Sequence, residues 1–382
     1  MKIGIDVRTL MEKNYSGVSE YTLNLLTEIF RKDQKNQYKL FYNSASQVEM
    51  PQFNFPNVEY VKTNYPNKVF NLVLQKLFGY PRLDKMLDVD IFFMPNIGFI
   101  SLSNKAKKII TIHDLSFLRY KEFFSFKRNL WHKFINLKKT LKKFDHIVAI
   151  SENTKRDLIE LCQIPEEKIK VIYSGLDSNY RMFLPGEKSD KLSKIREKYS
   201  LSEKFILFLG TIEPRKNIGG LIRAYALLRD KNPELSDFKL VLAGAKGWRV
   251  KEILGEYYSC KYKKDIIFLD YVDKEDKVYL YNLASLFVFP SFYEGFGFPP
   301  LEAMACGVPV VSSNVSSLAE VINNSGILVA PNNISELAKA MSLILQDKQM
   351  KHELIRRGLY NVERFSWKDC ANNYLEFLQN IE

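Results

Sequence analysis

The chain has 382 residues, 46% of them hydrophobic and 26% charged, and both Gly (17) and Pro (14) are low. That length suggests two or three domains at roughly 150 residues each, and the composition excludes collagen-like, low-complexity and wholly disordered chains. No apolar run reaches the roughly 18 residues that a membrane-spanning helix needs. Four cysteines (Cys162, Cys260, Cys306, Cys370) lie far apart with no CxxC pair, which argues against a disulfide framework or a cysteine metal site and for a reducing cytoplasm.

The net charge is +12, and its placement is uneven. Residues 1–180 hold 28 Lys+Arg against 19 Asp+Glu, and residues 101–143 alone hold 12 basic against 2 acidic residues. A block of that kind implies an anionic partner: lipid headgroups, nucleic acid or an acidic substrate.

In chain order, the start Met1-Lys2-Ile3-Gly4-Ile5-Asp6 puts an acid where a signal peptide would continue its apolar core, so it reads as a buried strand. Strands are predicted at 2–7, 38–43, 58–62, 90–94, 108–112, 146–150 and 169–172. Helices are predicted at 17–32 and 152–162 in this half. The segment 68–78 is apolar on nearly every side, which suits either burial or the presentation of Phe and Leu to lipid. Asp88-Val89-Asp90 precedes its strand and reads as a solvated strand entry, not a metal site. From Phe126 the apolar residues 126, 130, 134, 137 and 141 advance by four, four, three and four, one face of a helix with Lys and Arg around it. That helix is either a core helix with a solvated lysine face or an interfacial helix on an anionic membrane. After residue 200 the pattern restarts, with strands at 205–210, 239–243, 266–269, 286–289, 308–311 and 326–329 and helices at 217–229 and 334–346. The link falls near 178–203. Strand–helix alternation with buried strands predicts parallel sheets covered on both faces, hence two Rossmann-like domains.

In open parallel sheets ligands bind beyond the carboxyl ends of strands, so the loops there carry the chemistry. After the first strand come Asp6, Arg8 and then Ser16-Gly17-Val18, where a glycine ahead of a helix lets backbone approach a phosphate; a plain turn is equally compatible. After strand 108–112 come His113 and Asp114, fitted either to a sugar hydroxyl or to a structural pair. After strand 205–210 comes Glu213-Pro214-Arg215-Lys216-Asn217, where two cations and a helix amino end converge on a diphosphate site or form a surface pair. The strongest segment runs from Pro290 through Glu294-Gly295-Phe296-Gly297-Phe298-Pro299-Pro300-Leu301-Glu302. A Gly-x-Gly loop offers free N–H groups to a phosphate, Pro opens a helix, and Glu302 in its first turn suits a ribose diol. The third Gly of the dinucleotide fingerprint is missing, so NAD is not implied. Glu294 and Glu302 also have a spacing a glycosidase could use, but the Arg215-Lys216 element argues against plain hydrolysis.

With these loops in place, the chain resembles family 4 of the retaining glycosyltransferases, which have the two-domain GT-B fold. The resemblance runs from Gly4-Ile5-Asp6 and Ser16-Gly17-Val18 through His113-Asp114-Leu115, Ser151-Glu152-Asn153-Thr154-Lys155 and Tyr173-Ser174-Gly175 to Leu209–Asn217, Gly326–Val329 and Phe365-Ser366-Trp367. Its most specific mark is Glu294 and Glu302 with seven residues between them. It implies an α/β GT-B chain: two Rossmann-like domains with parallel sheets facing a central cleft, an acceptor domain at 1–180, a donor domain at 200–365 and a last helix at 366–382 packing back on the first. It implies that Arg215 and Lys216 neutralise the departing diphosphate, that Gly17 lies by it, and that Gly295, Phe296 and Gly297 donate backbone hydrogen bonds. Glu294 would position the donor sugar, Glu302 hold the ribose, His113 touch the hexose and Asp114 sit toward the acceptor. No metal or other cofactor is expected. Thr211 stands where some members carry an Arg, which leaves the diphosphate to Arg215 and Lys216.

The mannosyltransferase-like members are the best match. The expected function is transfer of a hexose, mannose first, from a nucleotide-diphosphate sugar to a glycan or lipid-linked acceptor, with GDP-mannose the first donor and a UDP-sugar the second. A cytoplasmic enzyme, peripheral on the inner face of the plasma membrane, fits the basic segment. Two rivals stand beside it: a non-catalytic nucleotide-sugar-binding relative, and a polyanion-binding protein using residues 101–143. No nucleic-acid motif accompanies that block, so nucleic acid is not an expected partner.

Overall fold

The computed structural model describes residues 1–12, 15–124 and 135–381. Two units emerge: Met1–Arg119 with Phe126–Gly175 and Phe365–Glu382, and Tyr120–Ser125 with Leu176–Arg364. In the first, β1 (Lys2–Asp6), β2 (Gln37–Asn43), β3 (Val58–Thr63), β4 (Ile91–Met94), β5 (Lys107–Ile112), β6 (His146–Ala149) and β7 (Ile169–Val171) form one sheet. Its order is β3-β2-β1-β4-β5-β6-β7, and every pairing is parallel, with Ile5 opposite Leu40 on one side and Phe93 on the other. In the second unit, β8 (Phe205–Leu209), β9 (Lys239–Ala243), β10 (Ile266–Leu269), β11 (Leu286–Phe289), β12 (Val310–Ser313) and β13 (Ile327–Val329) form a sheet ordered β10-β9-β8-β11-β12-β13, again all parallel.

The central strands IFFM, FILFL and LFVF are buried at every residue. Only a strand covered by helices on both faces accepts such an unbroken apolar run. Each sheet is therefore doubly wound, and the two Rossmann-like parallel sheets expected from the sequence are found.

One strand differs in register from its expectation. The run 308–311 predicts a strand two residues too early. The Val308 amide donates to the Ala303 carbonyl and closes the preceding helix, and Pro309 has no N–H to give. The strand therefore opens at Val310 and extends over Ser312 and Ser313, both fully buried despite their hydroxyls. The stretch 178–203, read as a link, carries the helix Ser189–Lys198. Lys198 and Tyr199 there both donate to Asp276, at 2.6 and 2.8 Å.

The last helix, Trp367–Asn380, belongs to the first unit. Its Tyr374 hydroxyl lies 2.7 Å from both the Tyr21 hydroxyl and Thr111 Oγ1, and all three side chains are fully buried. Gly175 makes this docking possible: a Cβ there would come within 2.1 Å of the Trp367 backbone nitrogen. Asp88 and Asp90 tie down the sheet's first strand. Asp88 pairs with Lys2 and Lys105, and Asp90 accepts from the Lys2 amide.

The basic helix predicted from Phe126 onward lies outside the described residues as far as 134. Its described end includes the short helix Leu137–Leu141, which buries Leu137 and Leu141 and leaves Lys138 and Lys139 exposed. The segment 68–78 forms a π-wound helix, Val69–Phe78, that buries Phe70 and Gln75 while leaving Leu77 and Phe78 exposed. Among the described residues no helix is long and apolar enough to cross a membrane.

Candidate active site

In the second unit the chain passes from β8 to β9 on one side and from β11 to β12 on the other. Such a reversal opens a crevice at the carboxyl ends of the two adjacent strands. The loops after β8 and β11 therefore meet, although 77 residues separate Phe289 from Ile212.

The loop after β8 is short and tightly turned. Pro214 opens a single 3-10 turn, and Asn217 at φ 56 redirects the chain into the helix Ile218–Lys231. The Asn217 side-chain Nδ2 donates to the Pro331 carbonyl at 2.7 Å, anchoring the turn to the loop after β13. The Phe292 amide donates to the Arg215 carbonyl at 2.9 Å, stitching the two loops together. Lys216 is thereby buried, with its ammonium 4.9 Å from the centre of the Phe289 ring.

The loop after β11 places Glu294 against both cations. Lys216 Nζ donates to Glu294 Oε1 at 2.6 Å, and Arg215 Nη1 lies 3.0 Å from Glu294 Oε2. Arg215 also reaches Glu213 at 2.8 Å and the Tyr293 carbonyl at 2.6 Å. The loop is held from behind by two serines after β12. Ser316 Oγ accepts the Glu294 amide at 2.9 Å, and Ser317 Oγ donates to the carbonyls of Glu294 and Phe296. Gly297 sits at φ 120, and a Cβ there would press to 2.9 Å from Leu318. A side chain is excluded on both grounds, so the turn into the helix Phe298–Ala305 requires this glycine. Glu302 in that helix is buried and accepts the Tyr281 hydroxyl at 2.7 Å.

The electrostatics follow from burial opposed by pairing. Burial pushes the Glu294 carboxyl upward, but the charges of Arg215 and Lys216 outweigh it and hold the group at about 2. Burial and the neighbouring Arg215 charge draw Lys216 below the ordinary lysine range, against the pull of Glu294 and Glu213. Glu213 is raised by burial, with Arg215 and Lys216 opposing. The Tyr281 phenol is pushed well up by burial and by the Glu302 carboxylate. The result is a set of two cations and two carboxylates at a crevice, all buried but the half-buried Arg215.

The structure thus brings Arg215, Lys216, Glu294 and the loop Gly295, Phe296 and Gly297 together, with Glu302 on the helix that follows. The remaining predicted residues lie in the first unit. Gly17 opens the helix Gly17–Lys32 behind the Ser16 cap, and nothing approaches within 4 Å of the position its Cβ would take. His113 Nε2 is 2.8 Å from the Pro95 carbonyl and its ring meets Tyr21 edge-on at 4.7 Å. Burial lowers its imidazole below the ordinary value, so it is neutral at pH 7. Asp114 Oδ1 accepts from the Ser116 amide and hydroxyl at 3.0 and 2.7 Å, turning the chain into Ser116–Arg119. Arg8 closes on Asp6 at 2.5 Å and donates to Asn71 Oδ1 at 2.6 Å.

Sequence reasoning passed over Ser316, Ser317 and Tyr281, which hold the site without touching its mouth. The run Ser312-Ser313-Asn314-Val315-Ser316-Ser317 at a strand end was a usable signal for the serines. Nothing local marks Tyr281, which sits on the helix Lys274–Leu283.

Comparison with known proteins places the chain in a family. The family model for glycosyltransferase family 4 matches residues 15–180, and that for glycosyl transferases group 1 matches 187–359. The O-antigen chain mannosyltransferase B of Escherichia coli is 31% identical over 366 residues, covering 93% of this chain and 94% of that protein. Among solved structures, sucrose-phosphate synthase from Thermosynechococcus elongatus superposes with a TM-score of 0.74 at 19% identity, over 100% of this chain and 98% of that one. Anabaena Alr3699/HepE in complex with UDP-glucose superposes with a TM-score of 0.71 at 21% identity, over the full length of both.

Proposed function

The chain belongs to the group 1, family 4 glycosyltransferases, and from that premise we propose that it moves a mannosyl group, with retention, from a nucleoside-diphosphate sugar to a growing glycan or a lipid-linked acceptor. The observation that carries the reading is the convergence of Arg215 and Lys216 on Glu294 at the strand-order reversal of the second unit. The likeness to an O-antigen chain mannosyltransferase supports mannose and a role in surface-polysaccharide synthesis. GDP-mannose is the first donor; a UDP-sugar is the second, favoured by the likeness to a protein solved with UDP-glucose.

In this reading the bond from the sugar's anomeric carbon to the β-phosphate oxygen breaks, and its electron pair leaves on the phosphate. Arg215 and Lys216 stabilise that growing charge, and preorganised donors of this kind contribute most when water is excluded. The acceptor hydroxyl bonds to the anomeric carbon on the same face, and its proton passes to the departing phosphate oxygen. Glu294 orients the sugar, Glu302 accepts from the ribose hydroxyls, and the amides of Gly295, Phe296 and Gly297 face the phosphate or sugar. In the first unit Gly17 borders the diphosphate, His113 faces the hexose and Asp114 the acceptor. The reading assigns charge neutralisation to the two side-chain cations in place of a divalent ion. We place the reaction in the cytoplasm at the inner membrane face, and four buried free thiols suit that reducing compartment.

A panel of nucleotide sugars tests this, read by thermal stabilisation and by slow release of the nucleoside diphosphate. A ligand at a hundred times its dissociation constant stabilises by about 2.7 kcal/mol. GDP-mannose is expected to give the largest shift and to be the donor hydrolysed. A panel in which no nucleoside-diphosphate sugar stabilises or is turned over rejects the enzyme reading in favour of a non-catalytic or polyanion-binding protein.

A further inference from the structure

The first sheet has a strand-order reversal of its own. The chain runs outward from β1 through β2 to β3, then crosses to the other side of β1 and runs outward again from β4. β1 and β4 lie side by side, with Ile5 opposite Phe93, so their carboxyl ends border a crevice of the kind in which open parallel sheets bind ligands. A cavity of about 460 Å³ lies there, within the range of ~300–1,000 Å³ usual for small-molecule sites. Asp6 and Arg8 from the end of β1, Asn96 and Phe99 after β4, and Asn67 and Asn71 around the start of the helix Val69–Phe78 line it.

The charged pair in this cavity is already spent. Arg8 Nε donates to both Asp6 oxygens and Nη2 lies 2.5 Å from Asp6 Oδ2. Nη1 donates to Asn71 Oδ1 at 2.6 Å, and Nη2 also reaches the Phe99 carbonyl at 3.1 Å. The guanidinium carbon lies 5.9 and 5.8 Å from the ring centres of Phe41 and Phe70. The unspent hydrogen-bonding capacity is on neutral amides. Asn71 uses Oδ1 on Arg8, and Asn67 uses Oδ1 on the Asn43 side chain at 2.7 Å, which leaves each Nδ2 to donate. The half-buried Asn96 side chain makes no hydrogen bond among the described residues and offers both donors and an acceptor. Lys68 and Glu12, the other charged residues on the lining, are both exposed, where solvent and salt weaken their hold on an ion. Neutral amides beside the apolar Leu72, Ile97 and Phe99 suit a sugar ring, whose hydroxyls both donate and accept and whose face is apolar. An ionised phosphate only accepts, so it would leave Asn96 Oδ1 unmatched and would meet an Arg8 already neutralised by Asp6.

Building on the sugar-transfer reading, we propose that this cavity selects an acceptor ending in a neutral hexose, with the Nδ2 groups of Asn67 and Asn71 and the side-chain amide of Asn96 bonding its hydroxyls. A terminus of that kind has itself been laid down by an earlier glycosyl transfer. The chain therefore extends a glycan and does not start one on a lipid phosphate.

The test is a ligand-observed NMR titration of the full chain with the methyl glycosides of mannose, glucose, galactose and N-acetylglucosamine and with glycerol 3-phosphate, repeated with Asn96→Ala. Transfer kinetics follow, with the tightest-binding glycoside as acceptor. At least one glycoside is expected to bind, and more tightly than glycerol 3-phosphate. Asn96→Ala is expected to weaken that binding about tenfold, as the loss of one or two neutral hydrogen bonds does, without lowering the melting temperature. In transfer it is expected to raise KM for the glycoside about tenfold and to change kcat and KM for the nucleotide sugar much less. No glycoside binding by the wild type, equal binding by Asn96→Ala, or tighter binding of glycerol 3-phosphate overturns the proposal. The titration needs no donor, so the two readings fail separately. Glycoside binding that Asn96→Ala weakens, in a protein that turns over no nucleotide sugar, upholds the sugar site and rejects the transfer reading. Hydrolysis of a nucleotide sugar by a protein that binds no glycoside does the reverse.

Discussion

Replacing Glu294 with Gln is the most direct probe of the buried charge cluster. The variant keeps the shape of the side chain and removes its charge. The carboxyl is held at about 2 instead of 4.5. A shift of that size corresponds to stabilisation on the order of 3 kcal/mol by the charged form. Glu294 is only 8% exposed, so solvent screening takes little from that figure. The loss falls on two contacts, 2.6 Å to Lys216 and 3.0 Å to Arg215, and removes one of the two carboxylates that face the cations. In a unit the size of Leu176–Arg364 this corresponds to a drop of about 6–12 °C in melting temperature at neutral pH. The pH dependence has a definite sign. A group whose folded pKa is depressed stabilises fully above its unfolded value and loses that contribution as pH falls through the folded one. The gap between wild type and Glu294→Gln is therefore expected to be constant above about pH 5 and to close between about 4.5 and about 2. Thermal unfolding followed by circular dichroism across that range measures it. A gap under about 2 °C at neutral pH, or one that persists unchanged on acidification, would refute the electrostatic reasoning. Adding Lys216→Met to the variant is expected to cost less than the sum of the two single changes, because the residues share one interaction.

Lys216→Ala is expected to cut turnover at least about a hundredfold, since losing one preorganised donor to a developing charge costs ~3 kcal/mol; near-wild-type rates in the purified variant would remove Lys216 from the chemistry. Tyr281→Phe deletes the hydroxyl that holds Glu302, and steady-state kinetics should show KM for the nucleotide sugar rising several-fold with kcat changed much less. An equal fall in kcat would move Glu302 from ribose binding to the chemical step. Tyr374→Phe breaks the buried chain from Tyr21 to Thr111 and is expected to lower stability by about 1–3 kcal/mol in denaturant titration, while a variant as stable as wild type would mean that the hydroxyl chain contributes nothing net.

The outline of the fold was legible because it rests on short-range information. Runs such as Phe205-Ile-Leu-Phe-Leu209 and Leu286-Phe-Val-Phe289 carry no polar alternation and can only be strands covered on both faces. The helix Gly17–Lys32 announces its start through Ser16, whose side chain accepts from the Ser19 amide. The one misplaced strand, β12, was obscured because its last two residues are serines, and buried hydroxyls imitate a loop in a linear reading. Ser312 satisfies its hydroxyl on the Phe289 carbonyl of the neighbouring strand, a partner invisible until the sheet order is known.

By itself, then, the sequence determined two doubly wound α/β halves and the loops in which chemistry would lie, since strand and helix periods and loop residues are local properties. Only the tertiary structure decided that Arg215 and Lys216 share one carboxylate, that Glu213, Ser316, Ser317 and Tyr281 support the site, and that Asn71 and Asn96 line one cavity with Asp6 and Arg8. Those arrangements depend on β8 lying beside β11, and on β1 lying beside β4. Such adjacencies are set by sheet order and packing over many tens of residues, and no window of local sequence contains them.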